Sequence, residues 1–253
     1  DKIVQKICDQ TVRKKIKSQF GGSLKAFVSG GGALDQEVGE FLNAIGLPTL
    51  QGYGLTETSP VVSCNPINDI RINTVGPPFS GNMINIADDG EILIKGENVM
   101  LGYWNNQKET EKVLKKGWLY SGDIGHFEEG YLRITDRKKD IIITPGGDNI
   151  SPVKIENDLT KIELVEQALV YGDNKPYLVA LLVVCNDNDS LKNKIILEEI
   201  EKINKNLSKI EKIKKFFIIK EQFTIENGMM TPTLKLKRYK IINKYKNEFE
   251  KLY

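Results

Sequence analysis

Thr56 and Glu57, in QGYGLTETSP (residues 51–60), put a hydroxyl beside a carboxylate. That pair suits a phosphate oxygen and a Mg2+ ion. Just ahead of it, Tyr53 stands between Gly52 and Gly54, which predicts an aromatic face left open for stacking. A plain strand followed by a polar loop is the other reading. Upstream, SGGGA (Ser29 to Ala33) places three glycines at a predicted strand end, where a planar or phosphorylated ligand can approach a backbone with no Cβ in the way. Taken alone GGG is more often a turn, and it completes neither a GxGxxG fingerprint nor a Walker loop.

Three further segments carry reactive groups. In WLYSGDIG (residues 118–125) the Asp123 carboxylate, held in a Ser-Gly-Asp turn, can accept both hydroxyls of a ribose. An Asx-type turn accounts for the same residues. In NGMMTPTLKLKRYK (residues 227–240) Lys235 sits on a polar loop, a flexible position from which an ammonium can reach a substrate. It is one of 36 basic residues, so by itself it decides nothing. In YLRITDRKKDIIITPGGDNISPVKIE (residues 131–156), Arg137, Lys138 and Lys139 lie between Asp136 and Asp140. This is either a solvated turn or a hinge whose charges handle a polyanion.

The elements that must position these groups follow from periodicity. Residues 1–23 read as a helix with Ile3, Ile7 and Val12 on one face, ending at a glycine pair. Leu24 to Val28 read as a strand. Val38, Phe41, Leu42 and Ile45 have helical spacing after an Asp35 N-cap, with Gly46 at the C′ position. PTLQGYG is a second strand, so residues 1–73 read as an α/β segment with ligand loops at strand ends. From Thr74 onward, alternating runs such as NMINIA, EILIKG and YLRIT are separated by DDG, GEN, KKG and EEG, which predicts a β-rich subdomain to residue 138. Residues 139–253 read as a separate α+β unit. It has a helix opened by Ser151-Pro152, two strands joined by GDNKP, a Lys/Glu-rich helix over about 190–213, a strand KKFFIIK and a terminal helix.

Composition narrows the function classes. Hydrophobic content of 40% with 28% charged residues is that of a soluble globular chain. A net charge of +2 argues against a dedicated nucleic-acid binder. His126 is the one histidine, which excludes a Ser-His-Asp triad or a histidine-rich metal site within these residues; it reads as a surface residue after an Asp-Gly turn. Cys8, Cys64 and Cys185 are widely spaced without CxxC, as reduced thiols in a cytosolic compartment are. No apolar run reaches the ~18 residues of a membrane span.

In this order and spacing, the segments resemble the AMP-forming acyl-adenylate ligases, and most specifically the long-chain fatty acyl-CoA synthetases. QGYGLTET resembles the family's adenine and Mg2+ motif, and ENVMLGYWNN (Glu97 to Asn106) its G-x-x-V/M-x-G-Y-W segment. YSGD is similar to the ribose motif, TPTLKLKR to the C-terminal lysine motif, and ITDRKKDIIITPGGDNISP to the hinge segment of the long-chain enzymes. The resemblance covers nearly the whole chain. It implies residues 1–138 as the C-terminal part of a large adenylate-forming domain and 139–253 as a small mobile lid that pivots at Lys139.

The resemblance also implies roles. Adenine would pack between the Gly30, Gly31, Gly32 and Ala33 backbone and the Tyr53 ring, with Gln51 and Gly52 at its edge and Gly54 closing the motif. Thr56 would bind the α-phosphate and Glu57 the Mg2+. Asp123 would take the ribose hydroxyls with help from Arg137. Lys235 would bridge carboxylate and phosphate during adenylation, Lys138 would be solvated, and the Gly146-Gly147 face would serve the thiol step. The implied substrates are a long-chain fatty acid, ATP and coenzyme A, in a cytoplasmic enzyme that can associate peripherally with a membrane and has no nucleic-acid partner. Two alternatives are an acyl-AMP ligase that passes its acyl group to a carrier protein, and a non-catalytic nucleotide-binding module. Two departures stand out. The family's Ser/Thr/Gly-rich phosphate loop is missing upstream, as expected for the C-terminal part of a longer enzyme. Ile143 occupies a slot where the family often has a lysine serving the thiol step.

Overall fold

The computed structural model describes residues 9–184 and 190–253, so Ile3, Ile7, Cys8 and Cys185 lie outside the described residues. The fold is mixed α/β, and the chain divides into two compact units, residues 1–138 and 139–253.

In the first unit a single π-helical turn, Asp9–Arg13, runs into α1 (Lys14–Gln19). Gly21 and Gly22 follow in the left-handed region at φ +76° and +75°. Val12 is exposed, so the expected apolar stripe buries nothing at that position. Next come β1 (Phe27–Ser29), α2 (Gln36–Ala44), β2 (Thr49–Gly54) and β3 (Val61–Cys64). β1 begins three residues later than its apolar run predicts. Asp35 Oδ1 accepts from Val38 N at 3.0 Å, the N-cap bond that starts α2, and Gly46 at φ +86° follows its end. Of the stripe predicted for this helix, Val38 and Phe41 are exposed; its buried position is Gly39, where a Cβ would meet Ile72 at 2.7 Å. β1 and β2 are parallel, and β3 runs antiparallel to β2.

The β-rich part contains β4 (Met83–Ile86), β5 (Glu91–Lys95), α3 (Gln107–Val113), β6 (Leu114–Lys115), β7 (Trp118–Glu128) and β8 (Tyr131–Arg137). They form one antiparallel sheet in the order β4-β5-β7-β6, with β8 paired to β7. The predicted alternation fails in β5, where Glu91 to Ile94 are all buried because both faces of the strand are covered. Tyr53 and Val62 from the first sheet join Ile92, Ile94, Leu119 and Leu132 from the second in one core.

The second unit opens with a short hairpin, β9 (Ile142–Ile143) and β10 (Asn149–Ile150), then α4 (Pro152–Leu159), β11 (Val165–Tyr171) and β12 (Leu178–Val184). α5 (Ser190–Asn206), β13 (Ile213–Ile219), α6 (Arg238–Lys244) and α7 (Lys246–Glu250) complete it. β12 is central, antiparallel to β11 and parallel to β13, and all seven of its residues are buried. Its alternate side chains feed two cores. Leu178, Ala180 and Leu182 pack with α4 and α5, whereas Val179, Leu181 and Val183 pack with Ile241 and Phe249 of α6 and α7. α5 stops at Asn206, short of the predicted 213. The Asn204 amide both donates to Ile213 O and accepts from Ile213 N at 2.9 Å, which starts β13 instead. The single predicted terminal helix is two, broken at Tyr245. No helix among the described residues is long and apolar enough to cross a membrane.

Candidate active site

The burial alternation of β2 decides which of its motif residues face inward: Thr49, Gln51 and Tyr53 are buried, and the glycines lie between them. Gln51 is bonded at both ends of its amide. Its Oε1 accepts from Leu34 N at 3.1 Å and its Nε2 donates to Ile72 O, so it straps the end of the Gly30 to Ala33 segment to β2. Gly52 O lies 3.6 Å from where a Cβ on Gly30 would stand. The expectation of an open Tyr53 face fails: the residue is only 7% exposed, packed in the core between the two sheets. Gly54 is not there to leave room for a ligand either, since a Cβ would stand 1.7 Å from Pro60 O.

What reaches out from the buried Tyr53 is its hydroxyl, which donates to Asp123 Oδ2 at 2.8 Å. Burial and then the Asp123 charge push the phenol pKa far above its ordinary value. Asp123 is 4% exposed, and its other carboxylate oxygen takes Arg137 Nε at 2.9 Å. The β7–β8 register sets Asp123 directly opposite Arg137. Ser121 to Asp123 are not the predicted turn. They lie inside β7, where Gly122 adopts φ +71° beside irregularities in the pairing with β5 and β8. His126, further along β7, is on the surface and contacts Glu128 at 3.0 Å.

The loop after β2 is a single 3-10 turn, Thr56–Thr58. Thr56 is exposed. Thr58, fully buried, organises the turn: its Oγ1 accepts from Leu55 N at 2.9 Å and reaches Pro60 O at 2.8 Å. Glu57 Oε1 accepts from Tyr103 Oη at 2.7 Å, and Glu57 O accepts from Met100 N at 2.8 Å. The 97–106 segment is thereby bonded to the carboxylate expected to meet Mg2+. The bond to Glu57 and partial burial push the Tyr103 phenol up to about 12. Among the described residues no cluster of three or more His, Cys, Asp or Glu side chains forms a metal cage. A single half-buried carboxylate with one oxygen engaged fits Mg2+, which is held chiefly by substrate phosphates and water.

Arg137 and Lys138 close the first unit. Lys138 is exposed, as expected, and its Nζ also donates to Asp89 Oδ2 at 2.5 Å and to Glu91 Oε2 at 2.8 Å; the bonds to Asp89 and Glu91 push its pKa up to about 12. Cys64 is a free thiol whose pKa burial raises.

In the second unit Lys139 is exposed in the turn before β9. Gly146 and Gly147 form the tip of the β9–β10 hairpin, with Gly147 at φ +87°. Thr144 closes the tip, its N donating to Asp148 O and its Oγ1 to Asp148 Oδ2 at 3.1 Å. Ile143, in the slot where a lysine was expected, is exposed; its N donates to Asp173 Oδ1 at 3.0 Å. The loop bearing Lys235 is closed by two hydrogen bonds. Lys235 N donates to Thr231 Oγ1 at 3.0 Å and Thr231 N to Lys235 O at 2.8 Å, which forces Leu234 to φ +60°. Three residues on, Arg238 Nη1 pairs with buried Glu156 at 2.5 Å. Sequence reading missed Thr58, Tyr103, Glu91 and the Glu156–Arg238 pair. All of them lie in stretches quoted above, but their roles depend on burial, for Thr58, or on partners 31 or more positions away, for the others.

A parallel segment with glycine-rich strand ends, an antiparallel subdomain carrying a buried Asp, and a small α+β unit with a lysine loop define a class, the adenylate-forming enzymes. The AMP-binding enzyme family profile matches residues 2–104 and that of the AMP-binding enzyme C-terminal domain matches residues 139–253; the chain belongs to this family. A long-chain-fatty-acid–CoA ligase, FadD15 of Mycobacterium bovis, is 37% identical over 98% of the chain. A chloroplastic long-chain-fatty-acid–[acyl-carrier-protein] ligase, AEE15 of Arabidopsis thaliana, is 32% identical over 98%. The chain spans 45% and 38% of these two relatives. In solved structures, the O-succinylbenzoate coenzyme A synthetase of Bacillus subtilis in complex with ATP and magnesium ion matches 85% of the chain. The TM-score is 0.70 at 28% identity, covering 45% of that protein.

Proposed function

We propose that the whole protein activates a long-chain fatty acid with ATP and transfers the acyl group to the thiol of coenzyme A. The observation that carries this reading is the Tyr53–Asp123–Arg137 set, a buried carboxylate within β7 bonded to a phenol from β2 and to the guanidinium opposite it on β8. Its similarity to fatty acid–CoA ligases over nearly all of its length supports the substrate class.

In this reading the Gly30 to Ala33 backbone, strapped by Gln51, borders the adenine. Asp123, held by Tyr53 and Arg137, presents its carboxylate to the ribose hydroxyls. Thr56 offers its hydroxyl to the α-phosphate, and Glu57, oriented by Tyr103, is the protein's ligand for Mg2+. Bound there, Mg2+ supplies neutralisation of phosphate charge. The fatty acid carboxylate attacks the α-phosphorus, and the bond to pyrophosphate breaks. Two anions must meet, so the Lys235 ammonium stabilises charge as it develops. A thiol then attacks the acyl carbon, the carbon–oxygen bond breaks, AMP leaves and the thiol proton is released. We assign the second step to the Gly146-Gly147 hairpin, brought into use by rotation at Lys139, a terminal position suited to absorbing backbone change.

The test is formation of AMP and pyrophosphate by the full-length protein with ATP, Mg2+ and a C16 acid, with either coenzyme A or acyl carrier protein as acceptor. Acid-dependent AMP with coenzyme A supports the proposal. The likeness to a carrier-protein ligase motivates the second acceptor, and thioester on carrier protein alone would establish that reading instead. No AMP with any carboxylic acid would reject both.

A further inference from the structure

Lys138 is the last residue of the first unit, and it is held by main chain and side chain together. Lys138 N donates to Gly122 O at 2.9 Å, and its ammonium reaches both Asp89 and Glu91. Glu91 is 5% exposed, and its remaining oxygen, Oε1, accepts from Gly122 N at 2.9 Å. Gly122 is therefore gripped on both sides, by Glu91 at its N–H and by Lys138 at its C=O, one residue before Asp123. The acids are fixed in turn. Asp89 Oδ1 accepts from Glu91 N at 3.1 Å within a tight turn that Gly90 (φ +83°) permits, and Glu91 is a β5 residue in register with Ile124 of β7. The preceding residue, Arg137, is bound to Asp123.

An exposed ion pair would be a weak anchor, because solvent screens it and ordering two long side chains offsets the gain. Here one partner is buried. Without the ammonium, Glu91 would keep a desolvated carboxylate with Gly122 N as its remaining bond, so the pair resists opening. Neighbouring charge supports this: Lys138 is pushed up to about 12 and Asp89 is held below the usual carboxylate range, each chiefly by its bond to the other.

We propose that Lys138, clamped by Asp89 and Glu91, is a positioning residue that fixes the stationary end of the pivot at the ribose-binding strand. Rotation then begins at Lys139 and leaves Asp123 undisturbed. The inference rests on the two-step ligase reading, because an anchor beside a pivot matters only if the second unit turns between steps.

The experiment uses the full-length protein with Lys138→Met, Glu91→Gln and Lys138→Arg. The two half-reactions are measured separately, as acid-dependent pyrophosphate exchange and as thioester formation from supplied acyl-adenylate. The expected result is that the ratio of the two rates shifts at least fivefold in Lys138→Met and in the same direction in Glu91→Gln. Lys138→Arg, which keeps the charge and donors, should stay within twofold of the natural ratio. An ion pair that only stabilises the fold would lower both rates together, and an unchanged ratio overturns the proposal. Hydrogen exchange tests the clamp without catalysis. Lys138→Met should speed exchange at the amides of Gly122 and residue 138 at least tenfold relative to Ile92 and Ile94, and unchanged exchange there also overturns it. Failure of the natural protein to form AMP would reject the ligase reading and, with it, the pivot role, whatever the exchange data show about the clamp.

Discussion

The Tyr53 hydroxyl donates to Asp123 Oδ2 at 2.8 Å, joining two sheets of the first unit across 70 positions of sequence. The bond turns a core tyrosine into a support for the carboxylate assigned to ribose. Tyr53→Phe keeps the ring's packing and removes one of the partners of a buried anion. We expect a stability loss of about 2 kcal/mol, typical of a hydrogen bond to a charged group. We also expect a rise in KM for ATP of about 3- to 10-fold, equivalent to about 0.7–1.4 kcal/mol. Urea denaturation and ATP titration check both; unchanged values would mean that Arg137 alone holds Asp123.

Tyr103 and Glu57 form a second such relationship. Tyr103→Phe leaves Glu57 without its 2.7 Å donor and free to rotate. The Mg2+ concentration giving half-maximal pyrophosphate exchange should rise about 3- to 10-fold, a cost of about 0.7–1.4 kcal/mol in ion binding. The rate at saturating Mg2+ should stay within about twofold, since the carboxylate itself remains. A lowered rate with an unchanged Mg2+ requirement would show that Tyr103 acts elsewhere.

The same bonds set a pH window. Lys138 and Tyr103 are raised from ordinary values of 10.5 and 10.0 to about 12. Above its ordinary value each group loses its proton more readily in the unfolded chain than in the folded one, so stability falls as pH rises. Their contribution is fully present below pH 10 and is lost as pH climbs through about 12. Asp89 shifts the other way: its contribution is present above its ordinary 3.8 and lost as pH falls below it. Denaturation midpoints measured from pH 8 to 12 should therefore decline only above about 10. Tyr103→Phe should flatten part of that decline, and an unaltered alkaline limb would contradict the assignment.

Local chemistry made much of the fold legible. The Asp35 cap, the Gly46 stop, the GDNKP turn and the apolar run LVALLVV each specify an element through their own neighbours. Pairing across distance is not written locally. WLYSGDIG reads as a turn because Ser-Gly-Asp is turn chemistry, yet hydrogen bonding to β5 and β8 pulls those residues into one eleven-residue strand with an irregular register. Tyr53 looked open because glycines flank it, but strand alternation put the ring inside and the glycines between. Lys138 is exposed as its charge predicts, but its acidic partners lie 47 and 49 positions away, where no local pattern shows them.

The Glu156–Arg238 pair carries the prediction for the second unit. Glu156 Oε1 accepts both Arg238 Nη1 and Val170 N, while Arg238 Nη2 donates to Val170 O at 2.6 Å. The two side chains thus satisfy both main-chain groups of one residue of β11, an edge strand of its sheet. They also tie α4 and β11 to the start of α6, three residues after Lys235. Arg238→Met takes the cation from a buried carboxylate, which keeps Val170 N, and removes the donor to the Val170 carbonyl; it should cost about 3–5 kcal/mol. Glu156→Gln keeps an oxygen that can accept from Val170 N and should cost less, about 1–2 kcal/mol. Replacing both residues by apolar ones should not restore stability, because Val170 would still lack partners. Urea denaturation orders the three variants. Pyrophosphate exchange in Glu156→Gln, assayed where the protein remains folded, should fall more than thioester formation from supplied acyl-adenylate, since the bond lost is the one that seats the Lys235 loop.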